Sequence, residues 1–275
     1  MELLRPSSLE ALEPASNTLL LAGGTELVPL LRDGLVEADA LVDVAGLVPR
    51  GIEGTRIGAG TTLAELESDL AVPDALREAC RLAASPQLRN MATLGGNLLQ
   101  STRCWYWRLG FPCRLHGGDA CHARDGEHRE HAIFANGFCA SAHPSDPAAA
   151  LLALGATVRT TARELPLAEL YRAPDGDDRR TTTLAQGEVI LELDVPAPEA
   201  SAYLKATDRK RFAFPLVGVA AARTGAGTRV ALAGVAPVPW LLDANGLDAA
   251  TPLPGTAFKV ELARALVGRV IAALG

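Results

Sequence analysis

Between Cys104 and Cys139 the chain carries four cysteines and loses its hydrophobic periodicity. In its place stand Gly117-Gly118-Asp119, the histidines His116, His122, His128 and His131, and several arginines. A structureless loop of roughly 30 residues is improbable in a compact domain unless something ties it down. Soft thiolates select zinc or iron–sulfur, and four of them satisfy either. The gaps of eight, seven and seventeen residues match neither the short C-x₂-C knuckle of structural zinc nor the tight ferredoxin run. Spacing alone therefore leaves both metals open. The chain has five cysteines, an odd number, and four of them fall within 36 residues, a crowding that favours metal over a disulfide framework. The fifth, Cys80, lies on the apolar face of a helical pattern and reads as a core thiol.

Immediately before this stretch comes a glycine turn, Thr93-Leu94-Gly95-Gly96-Asn97. A second one lies upstream, where the apolar run Thr18–Ala22 delivers Gly23-Gly24-Thr25-Glu26-Leu27 into a short helical pattern that closes on Gly34. A strand running through glycines into a helix leaves backbone N–H groups unobstructed and directed at a bound anion, of which pyrophosphate is the usual example. The spacing is not the GxGxxG of a Rossmann fingerprint. Two such turns in one domain can clamp the two halves of a dinucleotide. Asn97 reads first as a helix cap and second as a ligand contact.

The rest of the pattern places these turns in a fold. Leu41–Val44 and the alternation of Ile52, Thr55, Ile57 and Ala59 predict two more strands, completing a small α/β unit of about 55 residues. Helices are expected from Thr62 (Leu63, Leu66, Leu70), with Thr61 or Thr62 as N-cap, and from Pro73 through Ala83. A short buried helix over Pro147–Leu154 and a strand over Ala156–Thr160 follow, then a polar boundary at Tyr171–Arg180. Beyond it the pattern predicts strands at Val189–Val195, Ser201–Ala206 and Arg229–Val235, a helix over Leu216–Ala222, and a terminal helix Lys259–Leu274. The expected division is a larger domain over 1–175, with parts about 1–55 and 56–175 and the cysteine loop at 100–140, and a smaller domain over 176–275. With net charge −6 and no block of like charge, neither nucleic acid nor a membrane surface is favoured as a partner. The N-terminus shows no basic and apolar leader pattern, which predicts a cytoplasmic protein and leaves export together with a partner open.

Five segments in order resemble the FAD-binding medium subunit of the molybdenum hydroxylases, the xanthine dehydrogenase and carbon monoxide dehydrogenase family: Leu21-Ala22-Gly23-Gly24-Thr25-Glu26-Leu27, Leu88 through Asn97, Pro144-Ser145-Asp146-Pro147, Tyr203-Leu204-Lys205 through Phe214-Pro215-Leu216-Val217, and Leu232 through Pro237. The cysteine insert is similar to that of the branch with an extra four-iron, four-sulfur cluster, and Asn97 through Tyr106 most resembles its aldehyde oxidoreductase members.

The resemblance implies an α+β fold with a two-part FAD-binding domain and a small C-terminal α+β domain. It implies FAD with its pyrophosphate on the Leu21–Leu27 turn, and with Thr93, Gly95, Gly96 and Asn97 on the second side. Ser145 and Asp146 would lie near the ribityl chain and ring, and Lys205 near the ring, although residue type alone would make Lys205 a surface ion pair. Cys104, Cys113, Cys121 and Cys139 would hold a 4Fe-4S cluster. The histidines read as solvated loop residues or as hydrogen bonds to cluster sulfur, and Trp105, Tyr106, Trp107, Phe111 and Phe134 as packing around it. No residue on the chain is expected to act as a catalytic acid or base. The implied partners are a molybdenum-cofactor subunit, a 2Fe-2S subunit and an external electron acceptor. Two rival readings are a self-standing FAD-dependent oxidoreductase and a zinc-binding structural module.

Overall fold

The computed structural model describes residues 1–12 and 17–275. The first layer is a parallel sheet formed by β1 (Glu2–Leu4), β2 (Thr18–Leu21) and β3 (Ala40–Asp43), in the order β1-β3-β2. Parallel neighbours need a crossover, and β2 reaches β3 through the glycine turn and α1 (Leu27–Arg32). The helix stops at Asp33, and Gly34 takes a left-handed φ of 67°.

The middle of the chain begins with a hairpin, β4 (Ile52–Glu53) and β5 (Arg56–Gly58). Short helices follow as α2 (Leu63–Ser68), α3 (Asp74–Leu82), α4 (Pro86–Arg89), α5 (Leu94–Leu98) and α6 (Trp105–Arg108). After the cysteine loop come α7 (Asp146–Leu154), β6 (Thr157–Thr160), β7 (Glu164–Pro166), α8 (Leu167–Leu170) and β8 (Ile190–Asp194). The five strands form one antiparallel sheet, β4-β5-β8-β6-β7. The strand read at Val189–Val195 thus sits inside this middle sheet, on the N-terminal side of the fold, and not beyond the boundary placed at residue 175. Its pairing with β5 and β6 is a long-range choice that no local composition signals.

Thr62 rather than Thr61 caps α2, and it does so reciprocally. Glu65 N donates to Thr62 Oγ1 (3.3 Å) while Thr62 N donates to Glu65 Oε2 (2.8 Å). Thr62→Ala is expected to lower stability by about 1 kcal/mol, to be read as a shift of the urea midpoint with an unchanged slope.

The C-terminal part pairs β9 (Ala200–Ala206), β10 (Val217–Thr224), β11 (Gly227–Ala233) and β12 (Trp240–Leu241) in the order β12-β11-β10-β9, backed by α9 (Phe258–Ala272). The helix expected over Leu216–Ala222 is the central strand of this sheet. Ala220 and Ala222 face the core shared with α3 and α7, whereas Val217, Val219 and Ala221 face the core under α9. A strand buried on both faces shows no period of two, so its apolar run imitates a buried helix. Helix α7 is buried at all nine of its positions and lies where the middle and C-terminal sheets converge. No helix among the described residues is long and apolar enough to cross a membrane.

Candidate functional site

The first glycine turn is shaped by close backbone packing. Gly24 has φ 70°, a region that favours glycine, and a Cβ on Gly23 would lie 1.8 Å from the carbonyl oxygen of Met91. Among the described residues, no acceptor engages the backbone N–H groups of Gly24, Thr25, Glu26 and Leu27. The second turn is different. Leu94 N and Gly95 N donate to Thr61 O and Ala59 O, Gly96 N donates to Thr93 Oγ1, and Asn97 N to Thr93 O. Free anion-binding donors therefore lie on the first turn alone. The second is stitched to the Ala59–Leu63 segment and supplies a wall.

The two turns face each other across a cavity of about 330 Å³. Ala22 through Leu27 line it on one side, Thr93, Gly95 and Gly96 on the other, and Leu19, Leu20, Val44 and Ile190 give it an apolar floor. Leu21 turns away into the sheet, where its carbonyl accepts from Val44 N. A neighbouring cavity of about 150 Å³ shares Thr25, Glu26 and Gly96 with the first and adds Asn97, Asp146 and Lys205. Glycines flanking a mostly apolar slot, with unpaired N–H groups at one end, suit a long cofactor with an anionic middle.

Thr93 rather than Asn97 caps α5. Asn97 lies inside that helix, and its Oδ1 accepts from Ser145 Oγ at 2.6 Å. Ser145 also caps α7, accepting from Ala148 N, so it supports the cavity without lining it. Asp146 and Lys205, 59 residues apart, form an ion pair of 2.7 Å whose two side chains are each 3% exposed. Asp146 accepts in addition from the Tyr203 hydroxyl, and Lys205 donates to Leu82 O. Burial pushes the Asp146 carboxyl above its ordinary value, against the pull of the Lys205 ammonium. The lysine that residue type alone would put on the surface thus has a buried side chain, because β9 carries it beside the carboxylate at the first residue of α7.

Glu26 joins this cavity to the cysteine loop. Its carboxylate accepts from Arg103 (2.6 Å), Arg108 (2.5 Å) and Ser101 N (3.1 Å). The two arginines flank Cys104 in sequence. Sequence reasoning had placed Glu26 on the cofactor. The structure spends its carboxylate on the loop and leaves its backbone on the cavity.

The loop between Cys104 and Cys139 is ordered by its own chemistry. Arg114 donates to the carbonyls of Asp119 and Phe138, Arg124 to those of Asn136 and Gly137, and Arg179 to that of Arg114. Cys104, Cys113, Cys121 and Cys139 line one small cavity, with Tyr106, Trp107 and Ser141 among its other walls. All four are free thiols. Cys139 and Cys121 share a hydrogen bond that holds the Cys121 thiol below its ordinary value and the Cys139 thiol above it, while burial raises the Cys104 thiol. Among the described residues, no three His, Cys, Asp or Glu side chains converge closely enough to hold a single metal ion.

Two of the histidines read as solvated loop residues or as hydrogen bonds to sulfur, His131 and His143, are buried. His131 Nε2 lies 3.2 Å from Cys104 Sγ. His128 Nε2 accepts from Gly255 N. Phe134 leaves the cage and stacks on Trp240, 5.0 Å between ring centroids, in the core under α9. Residues that sequence reasoning missed include Arg103 and Phe214, a cation–π pair at 4.4 Å on the wall of the Asp146 cavity. Phe214 stood in a recognised segment, but nothing local told it apart from a core aromatic.

Residues 2–198 match the family described as FAD binding domain in molybdopterin dehydrogenase. The chain is 37% identical to the aldehyde oxidoreductase FAD-binding subunit PaoB of Escherichia coli K12, over 92% of this chain and 90% of that protein. It is 26% identical to the nicotinate dehydrogenase FAD-subunit of Eubacterium barkeri, over 72% of this chain and 58% of that one. Its fold superposes on a chain of CO dehydrogenase from Oligotropha carboxidovorans with a TM-score of 0.69 at 21% identity, covering 99% of this chain and 96% of that one. With the matched region spanning both glycine turns, α7 and β8, the chain belongs to the family of FAD-binding domains of molybdopterin dehydrogenases, the flavin-binding part of an oxidoreductase.

Proposed function

We propose that this chain is the FAD- and iron–sulfur-carrying electron-transfer subunit of an aldehyde oxidoreductase-type molybdenum hydroxylase complex. A molybdenum-cofactor subunit oxidises the substrate, a 2Fe-2S subunit relays the electrons, and an external acceptor takes them from this chain. The observation that carries the reading is the adjacency of two differently built sites, a glycine-walled slot ending at Asp146 and Lys205 and a four-cysteine cavity, tied together by Glu26. The 37% identity to an aldehyde oxidoreductase subunit favours that substrate class.

FAD bound in the slot supplies the exchange between two-electron and one-electron chemistry. The chain's own groups position it. The N–H groups of Gly24 to Leu27 would hold the pyrophosphate, and Asn97, held by Ser145, would lie toward the ring. The Lys205 ammonium, fixed by Asp146 and by Leu82 O, would set a positive charge against the reduced ring. Four cysteines lining one cavity suit a 4Fe-4S cluster, in which each thiolate takes a different iron. A single zinc ion would instead require the sulfurs to meet at one point.

Anaerobic purification with any co-purifying subunits, followed by iron, sulfide, FAD and molybdenum counts, tests the whole reading. Purification of the chain alone with FAD and turnover of an organic substrate would sink it. Cys113→Ser is expected to lose iron and keep FAD. Loss of both together would mean that the loop is part of the flavin fold, as the Glu26 contacts could produce.

A further inference from the structure

We infer that Lys259 is a positioning residue for the four-cysteine cavity: its ammonium pins the 130–136 limb of the cysteine loop to helix α9, so that the C-terminal part of the chain governs retention of the metal group. The inference deepens the iron–sulfur reading and rests on it. Lys259 stands in the first turn of α9 and is 0% exposed. Its Nζ donates to Glu130 O (3.1 Å), His131 O (2.8 Å) and Gly234 O (2.5 Å). Among the described residues these three carbonyls have no other donor. Burial pushes the ammonium down to about 7, and a neutral amine, with two N–H donors, would leave one carbonyl unpaired. A buried cation is costly to desolvate. An apolar side chain would avoid that cost, yet it would not join the cysteine loop, the end of β11 and α9 at one point.

The same limb is sewn to the segment that leads into α9. His128 Nε2 accepts from Gly255 N (2.9 Å), Thr251 N donates to Ile133 O (2.7 Å), and Asn136 Nδ2 donates to Thr251 O (2.7 Å). Arg129 lies over the Phe258 ring, 4.8 Å from its centroid. Within the limb, Ala132 N donates to Ala140 O (2.8 Å), next to Cys139. The other end of the loop is anchored elsewhere, by Glu26 on Arg103 and Arg108 either side of Cys104. Arg114 and Arg124 join the two limbs at Phe138 and Gly137. One cavity is therefore lined by cysteines on two limbs with separate anchors, one on the flavin side and one on α9. Without Lys259, opening of the limb is the least costly relief for three carbonyls that have lost their donor, because water then reaches them.

Lys259→Met keeps the length of the side chain and removes every donor. In the anaerobically purified full chain with its co-purifying subunits, iron release to a ferrous chelator is expected to be about tenfold faster than in the parent, with the flavin-to-protein ratio unchanged. Asn136→Ala, which cuts a second stitch, is expected to speed release by a smaller factor. Thr62→Ala separates positioning from stability. It removes a cap on the flavin side, so it should lower the urea midpoint and still release iron at the parent's rate. Alkylation by iodoacetamide, mapped by peptide mass, follows the limb itself. Cys139 should react about tenfold faster in Lys259→Met, while Cys80, buried in a different core, stays protected.

Parent-like iron release together with parent-like Cys139 alkylation in Lys259→Met would overturn the inference, as would an equal acceleration of iron release by Thr62→Ala. If Lys259→Met does not fold, Asn136→Ala decides by the same two readings. A parent without iron or sulfide, whose Lys259→Met variant still exposes Cys139, would keep the anchor and overturn the iron–sulfur reading.

Discussion

Asp146→Ala is expected to cost the folded state about 3–5 kcal/mol, the usual loss when one partner of a buried ion pair is removed. The reason is what stays behind. The Lys205 ammonium, with its side chain 3% exposed, would keep only Leu82 O as an acceptor among the described residues, and the Tyr203 hydroxyl would lose its Asp146 partner. Asp146 is also the first residue of α7, where a negative charge complements the helix dipole. Replacing both partners, as in Asp146→Leu with Lys205→Met, removes the orphaned charge and is expected to recover much of the stability. FAD content separates the two effects. The double variant should fold yet hold FAD poorly, because the charge beside the Asn97 end of the slot is gone. Urea unfolding and flavin absorbance measure the two quantities, and a double variant as unstable as Asp146→Ala would mean that the pair does not carry this energy. The pH dependence has a definite sign. Burial raises the Asp146 carboxyl, so the folded state holds that proton more tightly than the unfolded chain. As pH falls from neutrality towards the unfolded value near 3.8, this group adds stability rather than losing it. Acid unfolding is then driven by carboxylates held low by hydrogen bonds, such as Glu65 and Glu188.

That pair also marks the limit of what the sequence discloses. Features carried by a few consecutive residues were legible. These include the strand and glycine turn before α1, the Thr62 cap, the buried run of α7, and Cys80 as a core thiol, fully buried in the structure. Features made by residues far apart were not. Nothing near Lys205 announces a carboxylate 59 positions earlier, and nothing near Ile190 announces that its strand joins β5 and β6 rather than the C-terminal sheet. Strand β10 failed for a different reason. Its periodicity is erased by two cores pressing on opposite faces. In the cysteine loop, Arg114 and Arg124 bind the carbonyls of Phe138 and Gly137, and the four cysteines line one cavity, pairings between distant residues that the composition of the stretch does not disclose.

The glycine turns give the second large effect, because the two have different jobs. Gly23→Ala would place a Cβ 1.8 Å from Met91 O, against backbone that cannot rotate away. Overpacking of this kind costs about 3 kcal/mol or more, and here it would separate the turn from the Met91–Thr93 segment that leads into the second one. Loss of stability and loss of FAD should therefore arrive together. Gly96→Ala is different in kind. Its Cβ would meet only Thr93 Oγ1, at 3.0 Å, and the position is exposed on the wall shared by both cavities. That variant should fold with a stability within about 1 kcal/mol of the parent, since helical alanine offsets part of the crowding. Its methyl group would intrude on the slot, so FAD affinity is expected to fall about tenfold or more while the melting temperature barely moves. Thermal unfolding of the FAD-free chain, set beside FAD titration by flavin fluorescence, distinguishes the two. If Gly96→Ala binds FAD as tightly as the parent, the cofactor does not pass between these turns. If Gly23→Ala remains stable and loses only FAD, the turn's glycines exist for the ligand and not for the close approach of the two backbones.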